Sequence, residues 1–323
     1  MQFGKNSTMQ SNHKINIAGL VIDVYVDVRF SNIKEFISKF KSADTNNRNI
    51  TKSIYILRGT ERKLKLSQDW NTLSIIGYEI DDLTDPFNLI GISQAIFRFA
   101  AIHLAKNGVF LLHGSAAILD NRIICFGDDG DSTAKTISSL EIALTSKQYV
   151  ADEFCFIDIK NNKIFGYPFI PIHVRPIVKR HLKTTHNLTL PITNYKQTKA
   201  GDFIQPNKLF HLTTGMLEIL SYVHFSEKSN ALEKLSPKDA CRSFKFCIAS
   251  HIAKLLHPEL DRMQFVSMTD TTDIKIISDG VINEIIEKII GNQYVSEAVQ
   301  KFTSYKLTVS EPCQIVSFLR AEI

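Results

Sequence analysis

The residues best placed to do chemistry in this chain are Lys135 and Thr136, which close the stretch Phe126 to Thr136, FGDDGDSTAKT. An apolar, strand-like run precedes the stretch and a helical pattern follows it. A strand, a glycine-bearing turn, Lys-Thr and then a helix is an order that holds a nucleotide phosphate chain, because backbone amides and a helix N-terminus supply a positive field. The strict phosphate-loop pattern needs Gly directly before the Lys and another Gly five positions earlier, where this chain has Ala134 and Asp129. Gly127 and Gly130 keep the spacing of the first two glycines. Asp131, Ser132, Thr133 and Ala134 then replace the usual short link, so two residues are in effect inserted. The candidate nucleotide-binding set is therefore Gly127, Asp128, Gly130, Asp131, Ser132, Thr133, Ala134, Lys135 and Thr136. Within it, Lys135 can neutralise phosphate oxygens, Thr136 can offer a hydroxyl to Mg2+, and Ser132 or Thr133 can add donors. Taken alone, the stretch is equally a Gly-Asp turn that caps a helix and leaves Lys135 in water.

Four further residues carry chemistry-bearing side chains, in three segments. Asp152 and Glu153, in QYVADEF, fall near a strand within reach of the loop if the sheet is wound in the usual way, and the bland alternative is an exposed acidic pair on a strand edge. His113 lies in the apolar run LHGSAAIL, where a lone His is commonly a satisfied core residue. Arg175, in PIHVRP, can clamp phosphate as a planar fork or form a surface ion pair. His211, His224, His251 and His257 show no convergent spacing, and ordinary structural roles are expected for them.

These segments, in this order, resemble the HPr kinase/phosphorylase superfamily, a branch of phosphate-loop kinases related in fold to phosphoenolpyruvate carboxykinase. LHGSAAIL looks like the family's strand with a His-Gly pair just upstream of the loop, and GDDGDSTAKT looks like a stretched version of its phosphate loop. QYVADEF matches the family's acidic pair, at the family's interval from the loop Lys, and PIHVRP stands in the place of its Glu-x-Arg element. The resemblance covers about 108–176 and extends through LEILSYVHF and the LSPKDA helix start. It implies ATP and Mg2+ as cofactors, with Lys135 on the β- and γ-phosphates, Thr136 and Asp152 on the metal, and His113 beside the γ-phosphate. Glu153 takes the position of the catalytic carboxylate, with Asp replaced by Glu, so either Glu153 or Asp152 serves as the base. His173 replaces an acidic metal contact, which weakens any claim to the reverse, phosphate-releasing activity. The implied activity is transfer of the γ-phosphate to a hydroxyl, a Ser of a protein or peptide or a small molecule. Assembly into a homo-oligomer is implied by the resemblance alone. The competing class is a nucleotide sensor or partner-binding module whose chemistry has decayed, to which Ala134 and the expanded loop point. A carboxykinase-like decarboxylase rests on fold kinship alone.

The elements that must position these residues follow from patterning. Short β-rich runs between Lys14 and Glu79 predict a small sheet, with a short helix over Asn32 to Phe40 and a polar loop over Ser42 to Asn49. Asn88 to Lys106 predicts a buried connecting helix stopped at Asn107-Gly108. VFLLHGSAAILDNRIICFG predicts two strands joined at Asp120-Asn121, and Thr136 to Ser146 a helix. QYVADEFCFIDIKNNKIFGYPF predicts a strand, a turn at Asn161-Asn162 and a second strand. LEILSYVHF predicts a strand, and Ser236-Pro237 opens a helix.

The expected class is α/β, α+β in part: a flexible N-terminus (1–13), a β-rich region with its connecting helix (14–107) and a nucleotide-binding core (108–323). The 38 basic and 33 acidic residues are spread without a basic block, so no nucleic-acid partner is expected. No apolar leader and no segment long enough to span a bilayer are discerned, so a cytoplasmic location without membrane contact is expected. The five cysteines show no CxxC pair and are expected as buried, reduced thiols.

Overall fold

A computed structural model describes residues 9–40, 52–77, 80–127, 134–167, 169–189, 202–212, 215–225, 230–257 and 277–323. The polar run at Ser42 to Asn49 and the loop positions Asp128, Gly130, Asp131, Ser132 and Thr133 lie outside the described residues. The chain opens with strands β1 (Met9–Ile17) and β2 (Leu20–Asp27), helix α1 (Asn32–Ser38), and strands β3 (Ser53–Leu57), β4 (Lys63–Leu66) and β5 (Thr72–Ile76). They form one sheet in the order β1-β2-β3-β5-β4. Residues 9–13, expected to be flexible, belong to β1, where His13 pairs with Val24.

Helix α2 (Pro86–Leu104) then runs through a 3-10 turn to Gly108, whose φ of 78° stops it in the left-handed region that glycine adopts freely. By length and composition the span Asn88–Asn107 could cross a membrane, contrary to the expectation from sequence, but 94% of its apolar window is buried inside the protein itself. Phe97 shows what buries it, with ring contacts to Phe40, Phe154, Phe156 and Tyr167. Through α2 the N-terminal sheet and the rest of the chain share one hydrophobic cluster.

There follow β6 (Val109–Leu119), β7 (Arg122–Gly127), α3 (Ala134–Ser146), β8 (Gln148–Ala151), β9 (Phe154–Asp158), β10 (Lys163–Phe165), β11 (Ile172–Val174) and α4 (Pro176–His186). The remainder is β12 (Asp202–Ile204), β13 (His211–Leu212), β14 (Gly215–Phe225), β15 (Ala231–Lys234), α5 (Pro237–Leu256), α6 (Asp279–Ile285), α7 (Asn292–Lys301), β16 (Thr303–Val309) and α8 (Ile315–Glu322). Asp120 and Asn121 join β6 to β7 with φ of 49° and 66°, the two left-handed residues that a tight hairpin requires. Ser236 caps α5, its hydroxyl accepting from the Asp239 amide at 3.2 Å. The fold is mixed α/β, as expected from the sequence.

Strand β6 is the hub of the larger sheet. One edge pairs antiparallel with β7 and the other with β8 and then β9, so β7 and β8 run in the same direction on either side of it. β14 lies parallel to β7, and β16 parallel to β14. Alternation sorts the side chains of β6 and β7. Ala116, Ile118, Ile123 and Cys125 face the cluster built with α2 and α5, while Ala117, Leu119, Ile124 and Phe126 face a second cluster built with α3, α4 and α8. Helices thus cover both faces, and the carboxyl ends of β7 and β8 open on the same edge, which is where α/β sheets bind ligands.

The β6–β7 pairing is close at one point, where Gly114 faces Gly127. A Cβ on Gly114 would come within 2.7 Å of the Phe126 carbonyl oxygen, a backbone atom that cannot swing aside. We predict that Gly114→Ala destabilises the fold by about 1–3 kcal/mol, measured as a lower midpoint in urea with an unchanged slope.

Candidate active site

Sheet register brings the site together. Gly127, the last residue of β7, pairs with Gly114 on β6, next to His113, which pairs with Phe154 across the opposite edge. The path of β8 and β9 along β6 is one strand interrupted at Asp152 and Glu153, not the continuous strand expected. There the Phe154 amide donates to the Asp152 carbonyl at 2.7 Å, and Glu153, at the apex of this tight turn, has φ of 62°. A non-glycine residue in that region is strained by about 1–3 kcal/mol, and such strain gathers at functional sites. The turn sets both carboxylates beside the start of α3.

Lys135 lies in the first turn of α3 and is only 5% exposed, so it is not the solvated lysine of a surface cap. A buried ammonium costs several kcal/mol unless it is compensated. Here its Nζ lies 3.3 Å from His113 Nε2, and the same nitrogen lies 3.1 Å from Glu153 Oε2. The imidazole nitrogen serves one partner at a time: protonated it donates to Glu153, unprotonated it accepts from Lys135. Ser115 ties the helix start to β6, its hydroxyl donating to the Lys135 carbonyl at 2.6 Å. One residue on, the Thr136 hydroxyl donates to Asp152 Oδ1 at 2.9 Å. All of this sits at the N-terminus of a 13-residue helix, whose dipole adds positive field.

The two neighbouring carboxyls are driven apart in acidity. Burial, and then the Glu153 charge, push Asp152 up to about 7, against the pull of Thr136, Lys135 and Arg175. Burial pushes Glu153 up as well, but His113 and Lys135 outweigh it and hold Glu153 well below the usual carboxylate range. The site therefore has one carboxylate that stays ionised and one poised to gain or lose a proton near neutrality.

His251, on α5, completes the cluster. Its ring meets that of His113 edge-on at 4.8 Å, and its Nε2 lies 3.3 Å from the Glu153 carbonyl oxygen. Burial, followed by the charge of His113, keeps it neutral, far below its ordinary value. The ordinary structural role expected for His251 is compatible with these contacts, which place it against the backbone of Glu153 and the ring of His113. His251 stands one helical turn after Cys247, whose thiol lies 3.9 Å from the His113 carbonyl oxygen.

The structure brings together His113, Lys135, Thr136, Asp152 and Glu153, with Gly127 at the loop's entry and buried Ala134 at the first position of α3. A Cβ at Gly127 would lie 2.7 Å from both Cys247 Sγ and the Tyr222 ring, so only glycine fits there unmoved. Arg175 is exposed, at the N-cap of α4; its charge is felt at Asp152. His173 stacks on Phe203 at 4.7 Å. The cysteines are all free, but Cys241 and Cys313 are half-exposed, not buried as expected. No family model matches this chain, and a search of curated proteins finds no match.

The opposed carboxyls give a test by 13C NMR of the side chains. Asp152 should titrate well above the usual carboxylate range, at about 7. It moves down in Glu153→Gln, which removes a like charge, and further up in Lys135→Met, which removes a cation. Equal values in the parent and both variants would contradict the described coupling.

Proposed function

We propose that the chain is an HPr-kinase-like phosphotransferase that moves the γ-phosphate of ATP to a hydroxyl, a Ser of a protein or peptide or a small molecule. The observation that carries this reading is the burial of Lys135 at the N-terminus of α3, 3.3 Å from a His113 that contacts Glu153, with Thr136 on Asp152 beside it. Positive field and ionisable oxygen meet on one edge of the sheet, as transfer of a phosphoryl group requires.

The residues present fit a divalent cation. Thr136 Oγ1 and Asp152 Oδ1 already touch, and a carboxyl raised to about 7 by burial and a like neighbour gains by taking a cation as partner. Thr136 and Asp152 would hold Mg2+, which would supply positive charge to offset that of the phosphates. Lys135 is placed to leave His113 for the β- and γ-phosphates, and the amides at the start of α3 add donors. His113, released from Lys135, then keeps its contact with Glu153 and orients that carboxylate. The acceptor oxygen forms its bond to the γ-phosphorus as the bond to the β–γ bridging oxygen breaks. Its proton passes to a Glu153 carboxylate oxygen, and ADP departs. Asp152, ionised once it holds the cation, is left to metal binding, which favours Glu153 as the base. Arg175 stands outside the contact set and supplies long-range positive charge.

The test is transfer of label from [γ-32P]ATP, with Mg2+, to candidate peptides, proteins and free serine. Glu153→Gln should lower the rate by about 10²–10⁴-fold with ATP binding retained. Lys135→Ala should lower it by at least about 100-fold and weaken ATP binding too. Asp152→Asn should raise the Mg2+ concentration needed for half-maximal rate. ATP binding with no transfer or hydrolysis in the parent would favour the nucleotide-sensor reading, and no ATP binding would defeat both.

A further inference from the structure

A second cluster of ligating side chains lies deeper along α3. Glu141, in the middle of that helix, is only 2% exposed, so its carboxylate must find compensation within the protein. It finds two imidazoles, both from α4. His181 Nε2 lies 2.5 Å and His186 Nε2 2.8 Å from the same oxygen, Oε1. The three ligand atoms lie within 4.8 Å of one another. Around them stand Leu140, Ala143, Val178 and Leu182 of the apolar cluster between α3 and α4.

Two imidazoles five residues apart on a regular helix do not share a face. Here the end of α4 is widened: the Asn187 amide reaches back to the Leu182 carbonyl, and Asn187 itself takes φ of 48°. The wider last turn brings His186 round to the side of His181. His181 also has an outer partner, since its Nδ1 lies 3.3 Å from the Thr185 hydroxyl. With a metal on Nε2, Nδ1 carries the ring proton and donates it to Thr185, the arrangement that fixes a ligating histidine in structural and catalytic metal sites alike.

We propose that Glu141, His181 and His186 bind one borderline divalent transition metal of the Zn2+ class. Two neutral imidazoles and one carboxylate form a donor set suited to Zn2+ and poorly suited to Mg2+, which prefers oxygen. Metal–ligand distances of about 2.0–2.2 Å place the donor atoms about 3.4 Å apart. Each nitrogen must therefore back away slightly from Oε1, and exposed His186 has room to do so. The fourth position is open to water on the exposed side of His186. Bound metal would clamp α4, which begins after Arg175, onto α3, which begins with Lys135 and Thr136. The His113–Glu153–His251 cluster is a weaker candidate, because the Lys135 ammonium already lies 3.3 Å from His113 Nε2.

The test uses the full chain freed of metal by a chelator and titrated with Zn2+ by calorimetry, with Co2+ as a spectroscopic probe. The expected result is one equivalent of Zn2+ bound with a dissociation constant below about 1 µM, and visible Co2+ bands of four-coordinate intensity. His186→Gln, at an exposed helix end, should weaken binding by at least about 100-fold, and Thr185→Val by about 10-fold. Glu153→Gln should leave it unchanged. Absence of saturable Zn2+ binding, equal affinity in His186→Gln, or loss of binding in Glu153→Gln would overturn the assignment.

Discussion

A buried lysine that needs a partner governs the organisation of this protein. Lys135 cannot remain charged inside the fold without compensation, and it lies within the field of the Glu153 charge, with His113 Nε2 between the two and bonded to one of them at a time. Those three residues sit on α3, on β6 and on the turn between β8 and β9. Holding the charge in place therefore holds three elements in place. Ser115 repeats the tie one residue away from Gly114, fixing the first turn of α3 to the central strand. The left-handed backbone at Glu153 and the raised Asp152 carboxyl are the kinds of strain and shifted acidity that gather at functional sites.

The sheet supplies the alignment. Because β7 and β8 run the same way on opposite edges of β6, their carboxyl ends deliver the loop and the acidic pair to one edge. The left-handed backbone at Glu153 then breaks the strand where the carboxylates are needed. Had the strand continued in regular alternation, Asp152 and Glu153 would have pointed to opposite faces. Helix α5 closes the other side with His251 and Cys247, and the second histidine cluster pins α3 to α4 further along. The start and the middle of α3 are thus held by polar contacts inside apolar surroundings.

Much of this was legible in the sequence, and for local reasons. The hairpin at Asp120-Asn121, the stop at Gly108 and the cap at Ser236 each depend on a residue type that its own backbone demands. The grouping of His113 with Lys135, Thr136, Asp152 and Glu153 was expected from the family resemblance of their segments, not from local patterning alone. What escaped was non-local. His251 reaches the site only because α5 packs across β6, 138 residues along the chain from His113. Glu141, His181 and His186 meet only because α4 widens at its end, which no periodicity announces. The break at Glu153 was hidden because QYVADEFCFID has the composition of one strand, and a single left-handed residue leaves no compositional trace.

The central claim is that Lys135 and its neighbours embrace the distal phosphates of a nucleotide. It is tested most directly by 31P NMR of Mg2+-ATP with the full chain added. The account predicts that the β- and γ-phosphorus resonances shift and broaden on addition of the protein, and that Lys135→Ala abolishes the change while Lys179→Ala, at an exposed lysine of α4 paired with Asp202, leaves it intact. Resonances that stay where they are with the parent protein, or that shift equally with Lys135→Ala, would contradict it.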